Sequence, residues 1–153
     1  MKRFIAMLTS ALMVAAVPAT AQPAPPGYDE ALAKKLGADD YGMRAYVLVV
    51  LKTGPNRMPD GPERDEMFRG HFSNMKRLSE EGQLVLAGPF DGVDGWRGLF
   101  IFAVKTVEEA KALSVTDPVL AKGEMVAEYH RYYGSAGLMQ VLDTHARIAR
   151  KQP

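Results

Sequence analysis

The sequence predicts an α+β domain, a four-stranded antiparallel sheet with two helices on one face, in the order β-α-β-β-α-β. Three observations carry this. The runs Arg44–Lys52 (RAYVLVVLK) and Gly98–Val104 (GLFIFAV) are apolar on both faces, as strands covered on both sides are. Leu84–Gly88 and Met125–Tyr133 are two further strand-like runs, the latter rich in aromatic and β-branched residues. Helical segments separate the first strand from the second and the third from the fourth. This is the split βαβ, or ferredoxin-like, arrangement, in which the first and third strands are central. Those are the two runs that are apolar twice over.

In chain order, Lys2 and Arg3 precede an apolar run from Phe4 to Val17, and Ala19-Thr20-Ala21 has the form of an A-x-A cleavage site. That is the pattern of a secretory leader, residues 1–21, and it predicts a periplasmic or secreted protein; an uncleaved N-terminal anchor is the alternative. Residues 22–43 hold a Pro-rich linker (QPAPPGY) and a short helix, N-capped by Asp29 and closed by Gly37. The domain proper spans 44–134. Within it, Thr53–Pro62 (TGPNRMPDGP) is full of breakers and forms a loop, long enough to lie over a site but more often a plain surface connection. Glu63–Glu81 is a helix with Phe68, Phe72, Met75 and Leu78 at helical spacing. Pro89–Trp96 is a turn-rich connection. Thr106 with Glu109 makes a capping box for the second helix, which runs to about Leu113, and Asp117-Pro118 ends that region. Residues 135–153 are a helical tail, with Leu138, Val141, Leu142, His145 and Ile148 on one stripe. The sheet face away from the two helices is apolar as well, and a second subunit is its simplest cover, giving a homodimer of sheets packed face to face.

Composition removes several function classes. Of the 153 residues none is cysteine, which excludes disulfides, thiol catalysis and Cys-based metal sites. The net charge is +1, and losing Lys2 and Arg3 leaves 17 basic against 18 acidic side chains. So balanced a charge argues against nucleic acid as a partner. Beyond the leader no apolar run is long enough to span a bilayer, so no membrane contact is expected once it is removed. No phosphate loop, nucleotide fingerprint or G-x-S-x-G elbow is present.

His71 is the leading chemical candidate. It lies on or beside the apolar stripe of its helix and therefore faces the protein. Imidazole titrates near neutrality, at about 6.5, and a carboxylate on one ring nitrogen fixes the tautomer and leaves the other for a substrate. The alternative is a buried histidine bonded to a backbone carbonyl. Asp117 is a second candidate, although Asp-Pro is also a common turn opener. Asn74, one turn after His71, is placed to present an amide to the same cleft. Gly88 and Pro89 would let a ligand approach the backbone, and Arg97 would bind an anionic group, although a turn and a strand edge account for these residues equally well. His130 and His145 lack the close ligand spacing of a metal site, so no metal is expected. Trp96, Tyr129, Tyr132 and Tyr133 suit core or interface more often than a ring-binding platform.

With these residues placed, His71-Phe-Ser-Asn-Met, Glu80-Glu-Gly82, Leu86-Ala-Gly-Pro-Phe90, Arg97-Gly-Leu-Phe-Ile101, Val107-Glu-Glu-Ala110 and Thr116-Asp-Pro118 follow one another in order. This set resembles the YciI-like (YCII-related) family of the dimeric α/β-barrel superfamily, over about Arg44–Tyr133. The resemblance implies a ferredoxin-like dimer with a cleft between sheet and helices, and a His–Asp active pair. The histidine carries over onto His71 and the aspartate onto Asp117, with Glu80 and Glu81 as the rival acidic positions. It also implies a cofactor-free lyase or isomerase acting on a small, cyclic or aromatic substrate; the understood relatives include one that removes chloride from a chlorinated aromatic. Two other readings belong to different classes: a ligand-binding domain without turnover, and a structural dimer. Ligand-induced stabilisation without product would mark the first, and a stability cost of roughly 1–3 kcal/mol for losing His71 would mark the second.

Overall fold

The computed structural model describes residues 25–151; the expected leader, residues 1–21, and the start of the Pro-rich linker lie outside them. The elements are α1 (Glu30–Leu36), β1 (Met43–Thr53), α2 (Pro62–Glu80), β2 (Leu84–Pro89), β3 (Trp96–Phe102), α3 (Val107–Ser114), α4 (Pro118–Ala121), β4 (Met125–Ser135) and α5 (Val141–Ile148), with 3₁₀ turns at Val93–Gly95 and Ala136–Gln140. All strand pairs are antiparallel, in the order β2-β3-β1-β4, so the first and third strands are central as the sequence predicts. The fold is ferredoxin-like. Two bulges break the ladder. Val85 is the extra residue where pairing passes from Leu84–Phe102 to Leu86–Ile101, and Arg97 is the extra residue between the Leu51–Gly98 and Lys52–Trp96 pairs.

The main core lies between the sheet and α2, α3 and α4. Val47, Val49, Leu51, Phe100 and Phe102 meet Met67 and Leu78 of α2, Ala110 of α3 and Val119 of α4. Each large side chain buried in this way stabilises the fold by roughly 1.5–3 kcal/mol. Helix α2 starts on Pro62, whose fixed φ suits the first helical position, with Glu63 and Asp65 in its first turn. It stops at Gly82, whose φ of +69° favours glycine and lets Gln83 N–H donate to the Leu78 carbonyl. The apolar spacing of α2 puts its inner stripe one position off. The buried line is Met67, His71, Asn74 and Leu78, while Phe72 faces outward. Two of the four innermost positions are polar, so a pattern that counts only apolar residues rotates the stripe.

The 54–61 loop is tied down, not a free flap. Gly54 N–H donates to the Glu124 carbonyl at 2.8 Å and Asn56 N–H to the Gly123 carbonyl at 3.0 Å. A Cβ on Gly54 would stand 2.1 Å from the Gly123 carbonyl oxygen, so only glycine fits. The Glu124 carboxylate, fully buried, accepts from Met58 N–H at 2.7 Å and from Arg64 Nη2 at 3.1 Å. Burial pushes the Glu124 carboxyl up, but the Met58 N–H, the Arg64 bond and charge and the nearby Arg57 outweigh it and hold the group below its ordinary value.

On the far face of the sheet Tyr46, Val85 and Ile101 form a smaller core, covered by Leu138 and Met139 of the second 3₁₀ turn. The Tyr46 hydroxyl donates to the Ser135 carbonyl at 2.9 Å and fixes the exit of β4. The tail is therefore not one helix from Ser135. β4 runs through Ser135, a 3₁₀ turn follows, and α5 begins only at Val141 with no buried side chain. Part of the far face is thus covered by the chain itself, while Val126 and Tyr132 on it stay exposed. Among the described residues no helix is long and apolar enough to cross a membrane.

Candidate active site

Two elements bring His71 and Asp117 together. His71 lies on the buried line of α2, and Asp117 ends the turn between α3 and α4. Pro118 opens α4, and the Asp117 backbone is extended just ahead of it, at φ −87° and ψ 119°. The Asp117 carboxylate accepts from Val119 N–H at 3.1 Å and meets His71 Nδ1 at 2.9 and 2.8 Å through its two oxygens. The turn-capping role and the site role of Asp117 therefore hold together. Helix α2 comes close enough for this because residue 70 is glycine; a Cβ there would stand 3.0 Å from Pro118 Cγ.

The pair sits in apolar surroundings. His71 is 7% exposed and Asp117 1%. The imidazole stacks over the Phe100 ring at 6.0 Å between centroids and 27° between planes, with Phe68 edge-on at 6.1 Å and Phe72 at 5.4 Å. A carboxylate only accepts, so the Nδ1 position carries the hydrogen, and in the neutral ring Nε2 then presents its lone pair. Among the described residues Nε2 has no hydrogen-bond partner, and it is not one of the sealed, unpartnered polar atoms. This arrangement can accept a proton at Nε2 and stabilise the resulting imidazolium through Asp117.

The rival acidic positions face elsewhere. Glu80 approaches Lys76 at 3.9 Å, and Glu81 pairs with Arg77 at 2.9 Å. Asn74 is buried next to the pair, but its carbonyl is committed: Oδ1 accepts from Thr116 Oγ1 at 2.8 Å and from Arg77 Nη2 at 2.9 Å. Gly88 and Pro89 lie on β2, paired with Leu99 and Gly98. Nothing within 4 Å would meet a Cβ on Gly88, so its use is not a close approach of protein atoms. The Arg97 carbonyl accepts from Phe90 N–H at 3.0 Å. No hydrogen bond among the described residues joins Gly88, Pro89 or Arg97 to the His–Asp pair. His130 and His145 are both exposed, and no group of three or more His, Asp or Glu among the described residues could hold a metal ion.

Open cavities of about 260 and 240 Å³ lie among the described residues, and neither of these is lined by His71 or Asp117. The larger lies behind the turn that carries Asp117, against Ser114, Val115 and Leu120; the other lies between Phe90 and Trp96. Sequence reading missed three residues that shape the pair: Gly70, Arg77 and Thr116. A glycine in the middle of a helix was the available signal for the first. For the other two only the approach of α2 to the α3–α4 turn shows their role.

The family model for the YCII-related domain matches residues 45–131. Among solved structures the chain is similar to 5-chloro-2-hydroxyhydroquinone dehydrochlorinase (TftG) from Burkholderia phenoliruptrix AC1100, in complex with 2,5-dihydroxybenzoquinone. The match has 18% identity and a TM-score of 0.42, over 57% of this chain and 92% of that one. No curated protein matches the sequence.

Proposed function

This chain belongs to the YCII-related domain family, and from that premise we propose that it is a lyase- or isomerase-type enzyme using His71 and Asp117 as an acid–base pair. The observation that carries this is one distance together with one unpartnered nitrogen: His71 Nδ1 lies 2.8 Å from the Asp117 carboxylate, while among the described residues Nε2 has no hydrogen-bond partner. His71 Nε2 takes a proton from a C–H or O–H of the substrate, and Asp117 stabilises the imidazolium. The electron pair left behind forms a double bond as a neighbouring substituent departs with its bonding electrons, or the proton returns to another atom of the same molecule. Both outcomes balance without a further reactant. Phe68 and Phe72 beside the imidazole favour a small, ring-bearing substrate. Export through the leader at residues 1–21, and a homodimer formed through the exposed part of the far sheet face, belong to the same proposal.

The test is a screen of purified protein against small hydroxylated and halogenated rings and lactones, wild type beside His71→Asn. Alanine is a poor choice here, since it strands the buried Asp117 carboxylate and costs stability whatever the role. Asparagine keeps a donor near the Nδ1 position and lacks the base. Turnover is expected to fall by about 10²- to 10⁴-fold in His71→Asn with the melting temperature little changed. Turnover that survives this substitution would refute the proposal.

A further inference from the structure

We infer that Asn74 and Thr116 form a clamp that sets the Asp117 carboxylate on His71, making them positioning residues for the pair. The inference rests on the acid–base reading above and adds to it. Asp117 is carried by a turn whose backbone bonds tie it to α3 and α4: Asp117 N–H donates to the Ser114 carbonyl at 3.0 Å, and the Asp117 carbonyl accepts from Leu120 and Ala121. None of these bonds reaches α2, which carries His71. The crossing is made by side chains. Asn74 lies three residues after His71 on the same buried line, and its Oδ1 meets the hydroxyl of Thr116, the residue immediately before Asp117, at 2.8 Å.

The Thr116 hydroxyl has one proton and two acceptors in reach, Asn74 Oδ1 at 2.8 Å and the Leu113 carbonyl at 2.6 Å. The second keeps the turn on its own helix; the first ties it to α2. Arg77 favours the crossing. Its Nη2 donates to Asn74 Oδ1 at 2.9 Å and lies 3.3 Å from Thr116 Oγ1, while its Nη1 is held by both oxygens of Glu81 at 2.9 Å. The guanidinium therefore orients the Asn74 amide with its charge already paired to Glu81. Asn74 is 9% exposed and its carbonyl is doubly bonded, so its assignment is to the clamp.

The test needs no substrate. In the full chain, the His71 Nδ1–H is followed by ¹H–¹⁵N NMR and its exchange with solvent is measured. Thr116→Val keeps the shape and removes the hydroxyl, Thr116→Ser restores it, and Asn74→Leu removes the other half of the clamp. Exchange is expected to be about five- to tenfold faster in Thr116→Val and Asn74→Leu than in wild type, the effect of one lost hydrogen bond, and to return to the wild-type rate in Thr116→Ser. Urea unfolding of the same samples separates this local loosening from global destabilisation. Wild-type exchange in both Thr116→Val and Asn74→Leu would overturn the clamp. Faster exchange in both variants, in a protein that turns over nothing, would uphold the clamp and refute the catalytic reading instead.

Discussion

His71 depends on its neighbour in sequence for its neighbour in space. Asp117 reaches the imidazole because α4 packs against α2 at residue 70, where any Cβ would press on the Pro118 ring at 3.0 Å. Helix propensity favours Gly70→Ala by about 1 kcal/mol, whereas crowding of this kind typically costs about 1–3 kcal/mol. Gly70→Ala is therefore expected to lower stability by up to about 2 kcal/mol, measured by urea unfolding. A gain of stability would show that Pro118 yields freely. The position of His71 on an inward face was legible in the sequence from its spacing to Phe68 and Met75. Its partner was legible only as one of three acidic candidates, because the sequence does not say which loop lies across α2.

At the scale of elements, Glu124, immediately before β4, joins three segments. Its carboxylate holds Met58 of the loop and Arg64 of α2, and the Arg64 guanidinium also lies over the Phe68 ring at 4.7 Å. Removing one partner of a buried ion pair typically costs about 3–5 kcal/mol, so Glu124→Gln, which keeps some hydrogen bonding, is expected to lose about 3 kcal/mol near neutral pH. The carboxyl is held below its ordinary value of 4.5 in the fold. Its contribution is thus fully present above that value and is lost as the pH falls through the lower, folded one. Denaturant midpoints of wild type and Glu124→Gln should converge on acidification below about pH 4.5; a constant gap would contradict this. Most elements were legible because their local signals agree with the fold, as in the Asp29 cap and the Thr106–Glu109 box. The pinned 54–61 loop and α4 were not. Four residues give no periodicity, and the partners of Met58 are more than sixty positions away in sequence.

Among the described residues one sheet face is only half covered. Leu138 and Met139 seal Tyr46, Val85 and Ile101, while Val126 and Tyr132 on β4 are 42% and 39% exposed. The sequence predicts an apolar face, but the register also places His130 and the Lys52–Glu128 ion pair on it; nor did the sequence show that the tail takes a share of it, since Leu138 and Met139 fall in a segment with a helix-like stripe. A homodimer formed through the remaining area predicts a dimeric mass in sedimentation. Val126→Glu, placing a charge in that face, is expected to give monomers with the fold retained. A dimer unchanged by this substitution would move the interface elsewhere.

On the acid–base proposal, Asp117 holds the neutral His71 ring with its hydrogen on Nδ1 and leaves Nε2 for the substrate. Imidazole ¹⁵N shifts of the wild type at neutral pH measure this directly, with Asp117→Asn as the comparison. The geometry predicts that the neutral ring is the Nδ1–H tautomer, with Asp117→Asn losing that preference. An Nε2–H tautomer, or a ring indifferent to Asp117→Asn, would contradict the acid–base pair.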